Sequence, residues 1–212
     1  MTQKIYQVDA FTDQVFSGNP AAVCPLEHWL EDELLQKIAK ENNLAETAFY
    51  VKDKDKYQLR WFTPKVEVDL CGHATLAAAF VLFNHEGHKD EMIHFHSPRS
   101  GKLTVVKQSQ LLTLNFPTDK FHVIENTKAI ADCFNIAPKT TYKGKTDYLL
   151  VYNSEKDIRS LKPHLEAIAK LPGRGVIVTA KGEHVDFVSR FFAPQSGIDE
   201  DPVTGSAHTT LT

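Results

Sequence analysis

The chain has 212 residues and a formal net charge of −3, with basic and acidic side chains in similar numbers. This balance of charges gives no sign of a basic surface that would bind nucleic acid. No apolar run reaches the ~18 residues that a membrane span needs. Its three cysteines are odd in number and form no close pair, which predicts a reducing compartment rather than a disulfide framework. The N-terminus lacks the layout of a signal peptide, so we expect a cytoplasmic protein.

The first half of the chain alternates predicted strands with two helices. Apolar and aromatic runs predict strands at residues 5–11, 44–51, 57–62, 92–96, 102–107 and 111–116. Leucine and isoleucine at residues 30, 34, 35 and 38 have helical spacing, and acidic residues at 31–33 suit the first turn of that helix.

A second helix is predicted from residue 72 to residue 83, and it is apolar on every side. A helix without a polar face cannot lie on a surface, so we expect it at the centre of a domain. Its first turn contains Gly72, His73 and Thr75, small residues around one histidine. Small residues leave backbone N–H groups accessible, and the helix dipole favours an anion there. We therefore predict that this helix start binds a carboxylate or a developing negative charge.

The pattern restarts after a candidate linker at residues 117–120. Helices are predicted near 126–134 and 161–171, and strands at 148–153, 176–180 and 185–192. Strands and helices do not alternate regularly, so the fold class is α+β rather than doubly wound. We predict two domains, residues 1–117 and 118–212.

A short motif occurs once in each half. It reads Arg60-Trp61-Phe62-Thr63-Pro64 in the first half and Arg190-Phe191-Phe192-Ala193-Pro194 in the second. The number of residues from Arg60 to Cys71 equals that from Arg190 to Asp201. Small residues follow Asp201, so we expect a second helix there, with Pro202 in its first turn. Two such units predict two similar halves whose helix starts converge on one cleft. The second helix would need more length to be buried like the first, so we expect the natural chain to continue.

Glu46 is the first candidate for chemistry. It lies at the start of a largely apolar strand, where a carboxylate tends to have a raised pKa and can transfer a proton near neutral pH. The alternative is a glutamate that leaves a helix and points into water.

His73 and Asp201 stand near the two predicted helix starts. Each also has a structural interpretation: His73 could complete a helix end, and Asp201 could be an N-cap. Their matched placement favours a shared site, in which Gly72, Gly205 and Ser206 donate hydrogen bonds to an anionic group.

Cys71 admits two interpretations. A helix N-terminus lowers the pKa of a thiol, so Cys71 could act as a nucleophile or as an acid or base. The second motif contains no cysteine, which argues against a racemase with two thiols and favours a small buried residue. The spaced histidines at residues 85, 88, 94 and 96 match no metal-site pattern, and no nucleotide fingerprint or serine-hydrolase motif is present. We expect neither metal nor cofactor.

Taken together, these motifs resemble the PhzF family of phenazine-biosynthesis-like proteins, within the diaminopimelate epimerase fold. The resemblance rests on residues 9–12, 16–23, 46–49, 60–64, 69–75 and 190–208, in the family's order.

The resemblance implies two similar domains, each with a barrel-like, mostly antiparallel sheet around a central helix, and an active site between them. It also implies a homodimer and isomerisation of a small molecule without a cofactor. At the position of Glu46, well-understood members use a glutamate to move a proton between carbons of 2,3-dihydro-3-hydroxyanthranilate. Positions matching His73, Asp201, Ser206 and Gly72 line that pocket.

We therefore expect a PhzF-like isomerase that acts on a small, carboxylated, cyclic amino-acid-like substrate. Glu46 would move the proton, and His73 and Asp201 would bind polar groups of the substrate and share in proton transfer. Two alternatives stay open: an epimerase or racemase that uses Glu46 with a partner other than cysteine, and a binding protein that keeps the fold without turnover.

Overall fold

The computed structural model describes residues 2–116, 118–201 and 203–211. The chain divides into two compact units, residues 1–117 and residues 118–212. Among the described residues, no helix has the length and apolar character that crossing a membrane requires.

The first unit is built on one sheet. Its strands are Tyr6–Ala10 (β1), Asn19–Leu26 (β2), Glu46–Asp53 (β3), Lys56–Phe62 (β4), Glu67–Val68 (β5), Met92–Ser97 (β6), Gly101–Gln108 (β7) and Leu111–Asn115 (β8), and its helices are Asp32–Asn42 (α1) and Gly72–Asn84 (α2). The sheet order is β1-β2-β3-β4-β6-β7-β8, with β5 paired to β4. The β2–β3 and β4–β6 pairs are parallel and the other pairs are antiparallel.

Helix α2 lies against the concave face of this sheet. It contacts β1, β2, β3 and also β8 at the far edge, so the sheet curls around the helix. Alternate residues of the strands, such as Ala48, Leu59 and Trp61, share one buried cluster with Ala74, Ala78 and other residues of α2. Because strand side chains alternate between faces, this inward set is interleaved with an outward one. The outward set, which includes Phe49 and Phe62, packs against α1.

The prediction that α2 is buried on every side needs one correction. Most of its residues are buried, but the side chain of Phe80 is 41% exposed and Leu76 and Phe83 are half-buried. These three residues are spaced by four and three positions, so they lie along one face of the helix. The sheet is an open curl rather than a closed barrel, and this face is the part of α2 that it leaves uncovered.

The second unit repeats the plan with shorter elements. Its strands are His122–Ile124 (β9), Thr140–Lys143 (β10), Asp147–Val151 (β11), Gly175–Lys181 (β12), Phe187–Ala193 (β13) and Ile198–Asp201 (β14), and its helices are Lys128–Ala131 (α3), Glu155–Ser160 (α4), Leu165–Ala169 (α5) and His208–Leu211 (α6). The sheet order is β14-β13-β12-β11-β10-β9, and only the β11–β12 pair is parallel. Helices α3, α4 and α5 cover one face, whereas α6 lies on the other.

Several elements of this unit differ from the sequence prediction. The helix expected at 126–134 is only the single turn α3, and the helix expected at 161–171 is confined to α5. Helix α4 was not predicted, although Ser154 and Asp157 form a capping box that marks its start. Strands β9, β10 and β14 are short, and their runs are too brief for their periodicity to identify them.

The repeated arginine motif forms the same local structure in both units. Arg60 donates two hydrogen bonds to Glu67, at 2.7 and 2.9 Å, and its guanidinium lies 5.1 Å from the ring centroid of Phe62. Arg190 donates two hydrogen bonds to Glu200, at 2.7 and 2.8 Å, and lies 4.9 Å from the Phe192 ring. In each unit, the residue after the arginine faces the central helix and the next residue faces the outer helices. The fold is therefore α+β with two similar half-barrel units, as predicted.

The number of residues from the arginine to Cys71 equals that from the arginine to Asp201, but the two positions are not structurally equivalent. The arginine and its glutamate partner are seven residues apart in the first unit and ten in the second, where the 3-10 turn Pro194–Ser196 intervenes. In the sheets, Trp61 pairs with Val68 and Phe191 pairs with Asp201. Asp201 therefore corresponds to Val68 rather than to Cys71, and the glycines four residues later, Gly72 and Gly205, correspond to each other.

We expect Gly18→Ala to destabilise the first unit by about 3 kcal/mol or more. Gly18 has φ +69°, and a Cβ atom at this position would lie 2.2 Å from the carbonyl oxygen of Ala10. Gly87→Ala is the matched control, because Gly87 has φ +71° but its Cβ would meet nothing within 4 Å. That variant should lose only about 1 kcal/mol of stability, which is the cost of holding an alanine in the left-handed conformation.

Urea unfolding followed by tryptophan fluorescence measures both variants, because both tryptophans, Trp29 and Trp61, belong to the first unit. Equal losses in the two variants would show that the contact with Ala10 does not contribute.

Candidate functional site

Glu46 is the first residue of β3, after a short connection from α1. Asn43 ends α1 in the left-handed conformation, with φ 50°, and so turns the chain back towards the sheet. Glu46 pairs in register with Ala21 of the parallel neighbour β2. Its side chain is only 13% exposed, so the interpretation of a glutamate that points into water is wrong.

The segment that leads into α2 is held by ion pairs. Glu67 of β5 accepts hydrogen bonds from Arg60 and, at 2.9 Å, from Arg99, which also pairs with Asp69 at 3.0 Å. These contacts lie just before Cys71, which precedes the first residue of α2 with an extended backbone. They therefore set where α2 begins.

His73 brings two other side chains of this region together. Its Nε2 atom lies 3.4 Å from Oε2 of Glu46, and its Nδ1 atom lies 3.5 Å from Sγ of Cys71. His73 is 3% exposed and Cys71 is 5% exposed. Each of the two groups thus lies nearest to a different ring nitrogen, and the carboxyl oxygen and the sulfur also lie within 4.8 Å of each other. The cluster stands at the N-terminus of a 13-residue helix.

Burial decides the charge of His73. Removal from water lowers the pKa of the imidazole to about 4, and a weaker contribution from the backbone of Pro20 acts in the opposite direction. The ring is therefore neutral at neutral pH, with one N–H group and one lone pair. Nε2 of His73 is buried without a hydrogen bond, although Glu46 is close by. The contact is therefore between a carboxyl group and a neutral ring rather than an ion pair.

Among the described residues, Glu46, Cys71 and His73 form the only group of at least three potential metal donors, with their donor atoms within 4.8 Å of one another. The expectation that no metal is used stays a prediction. His88 has structural contacts instead, since its nitrogens lie 3.2 Å from the Tyr57 hydroxyl and 3.1 Å from the Met92 carbonyl oxygen.

The second unit places the other predicted site residues around a short helical start. Asp201 ends β14 and accepts a hydrogen bond of 2.7 Å from the hydroxyl of Thr204. The N-cap of the following helical turn is Thr204, so the interpretation of Asp201 as an N-cap is wrong. Helical structure begins at Gly205, and Ser206 is buried in that first turn. Pro202, predicted to lie in the first turn, is outside the described residues.

Cys71 is the residue whose contacts were underestimated from the sequence. The prediction that it is a small buried residue is confirmed by its 5% exposure, and its sulfur also contacts the ring of His73. The Cys-x-His spacing at a helix start was the available signal, because it places both side chains in the same first turn. The position corresponding to Cys71 in the second unit is Thr204, one residue before Gly205, and it has no thiol.

The curled sheets and the helices that begin beside them identify the fold class of the protein. Solved structures of proline racemase and hydroxyproline epimerase type share the fold; a hydroxyproline epimerase from Agrobacterium vitis matches 94% of this chain and 72% of its own, with a TM-score of 0.56 at 9% identity. The protein therefore has the diaminopimelate epimerase-like fold.

The chain belongs to the PhzC/PhzF family, whose model, described as phenazine biosynthesis-like protein, matches residues 8–212. An uncharacterized isomerase of Pseudomonas aeruginosa is 50% identical over 211 residues, covering all of this chain and 81% of the relative. The crystal structure of a PhzF-family protein from Enterococcus faecalis has a TM-score of 0.92 and 48% identity, covering all of this chain and 81% of that one.

We expect the stability of the first unit to fall between pH 6.5 and pH 4 because of His73. The unfolded histidine, with a pKa near 6.5, binds a proton in this range, while the folded one, with a pKa of about 4, does not. The unfolded state therefore binds more protons, and stability decreases as the pH falls, by about 3 kcal/mol in total.

Urea unfolding at several pH values, followed by tryptophan fluorescence, measures this loss. His73→Gln should remove most of the extra pH dependence, whereas His28→Gln, at an exposed histidine of the same unit, should behave like the wild type. Parallel curves for wild type and His73→Gln would contradict the assignment.

Proposed function

We propose that the protein is a cofactor-independent isomerase in which Glu46 moves a proton between carbons of a small, carboxylated, cyclic amino-acid-like substrate. The observation that carries the proposal is the position of the Glu46 carboxyl group, which is 13% exposed and 3.4 Å from a neutral, buried imidazole. A general base needs a carboxylate that is largely removed from water yet accessible to substrate, and this position supplies both. Membership of the PhzC/PhzF family supports the same reaction class.

In the proposed reaction, the carboxylate of Glu46 removes a proton from an activated carbon, and the electron pair moves into the conjugated system of the substrate. The same carboxyl group then returns the proton to another carbon. Negative charge that develops on the substrate is stabilised by the first N–H groups of α2, at Gly72 and His73, because these have no acceptor within the helix. The ring of His73 lies beside the Glu46 carboxyl group, at 3.4 Å.

The remaining predicted roles rest on the family resemblance. Gly205 and Ser206 are proposed to bind the anionic group of the substrate, and Asp201 to take part in proton transfer. The assignment of the two units as domains and the assembly into a homodimer are likewise proposals from that resemblance.

We expect Glu46→Gln to slow carbon-bound deuterium incorporation into the substrate strongly. The wild-type protein is incubated in D2O with 2,3-dihydro-3-hydroxyanthranilate and a small panel of cyclic amino acids, and the products are followed by NMR. Replacing the carboxyl group with an amide removes the base while preserving its size, so exchange should fall by about 10²–10⁴-fold. Glu41→Gln is the matched control, because Glu41 is an exposed glutamate at the end of α1.

The position and stereochemistry of the label separate the alternatives. Deuterium on a different carbon, with the double bond moved, supports isomerisation. Deuterium at an inverted stereocentre without bond migration supports the epimerase alternative. Binding of a panel compound that is unchanged in Glu46→Gln, with no exchange in either protein, would contradict the isomerase proposal and favour a binding role.

A further inference from the structure

The contacts of His73 extend beyond the carboxyl group to a second ionisable side chain. Oε2 of Glu46 is 3.4 Å from Nε2 of the ring, and Sγ of Cys71 is 3.5 Å from Nδ1. We propose that these three side chains form a proton relay, in which His73 passes a proton between the thiol of Cys71 and the carboxyl group of Glu46. The proposal deepens the proposed function, because it makes Cys71 the second group that holds the proton.

The neutral state of the ring makes this transfer possible. A neutral imidazole carries one N–H group and one lone pair, so it can donate to one partner while it accepts from the other. All three groups are buried or nearly so, at 13%, 3% and 5% exposure, which limits competition from water. Nε2 of His73 lies 3.4 Å from Oε2 of Glu46, so this nitrogen is within reach of the carboxyl group, and the backbone of Pro20 also interacts with the ring.

The transfer balances without any further reactant. The thiol proton of Cys71 moves to Nδ1 while the proton on Nε2 moves to Oε2 of Glu46. The S–H and Nε2–H bonds break, and the Nδ1–H and O–H bonds form. The products are a thiolate, a neutral carboxylic acid and a neutral ring in the other tautomer, so the net charge is unchanged.

The helix start favours the thiolate that this step creates. Cys71 immediately precedes the first residue of α2, where the helix dipole and the unpaired N–H groups stabilise negative charge. In the reverse direction, a Glu46 carboxyl group that has taken a proton from substrate passes it through the ring to the thiolate and becomes a base again. The nearest other charged groups on this segment, Glu67 and Asp69, are paired with arginines.

The other two cysteines of the chain lack these features and serve as controls. Cys24 and Cys133 are completely buried, and burial raises the pKa of their thiols to about 12 and about 11. Cys24 belongs to the cluster under α1, on the opposite face of the sheet from α2. A change at Cys24 therefore tests for unspecific effects of cysteine removal in the same unit.

The relay is tested by the tautomer of His73, measured at neutral pH from long-range ¹H–¹⁵N correlations of the ¹⁵N-labelled full chain. His73→Gln identifies the signals among the ten histidines. In the wild type, both ring nitrogens should have shifts between the two tautomer limits, because the helix start stabilises the thiolate and so populates the tautomer with the proton on Nδ1. Cys71→Ala should move both shifts to the limit of the Nε2–H tautomer, because no thiol proton is then available to Nδ1 while Nε2 still faces the carboxylate of Glu46.

The matched variant Cys24→Ala should leave these shifts unchanged. If Cys71→Ala does not fold, Cys71→Val replaces it, since a β-branched apolar residue suits the extended backbone at this position. The relay would be overturned if the wild type already had the ¹⁵N shifts of a single tautomer and neither Cys71 variant changed them. The measurement needs no substrate, so this result is separate from the outcome of the deuterium experiment.

Discussion

The burial of α2 in the curl of the first sheet is the constraint on which the rest of this unit depends. An apolar helix gains stability only when most of its surface is covered, and here strands from both edges of the sheet supply the cover. The helix start is then fixed as well, because Arg60 and Arg99 hold the segment before it through Glu67. The position of His73 relative to Glu46 follows from these two facts.

The chemistry of the cluster follows from burial rather than from the identity of the residues alone. In water, His73 would be partly protonated near neutral pH, and its interaction with Glu46 would be an ion pair screened by solvent. Inside the protein, loss of hydration makes the ring neutral, and a neutral ring can both donate and accept. Burial of His73 therefore has two consequences: it lowers the stability of the folded state at acidic pH, and it gives the ring the neutral form that the proposed proton transfer needs.

The two units show how one plan is retained while its details diverge. The arginine clamp and the alternation of the two aromatic residues after it are the same in both, because they connect the sheet to the helices on each face. The turn after the motif is three residues longer in the second unit, since the arginine and glutamate there are ten rather than seven residues apart. The offset that matched Cys71 with Asp201 in the sequence was therefore accidental. Only strand pairing, which equates Asp201 with Val68, could reveal this.

The sequence by itself determined the α+β class, six of the strands and both helices of the first unit, and the arginine repeat, because each depends on local periodicity or a short motif. It missed β2 and β5. It also indicated Glu46, His73 and Gly72 as candidates through their apolar or small-residue surroundings. Only the tertiary structure decided that Cys71 and Glu46 lie nearest to different nitrogens of His73, and that this ring is neutral. Such distances depend on how a strand start and a helix start are packed together, and solvent exclusion is a property of the whole fold rather than of any segment.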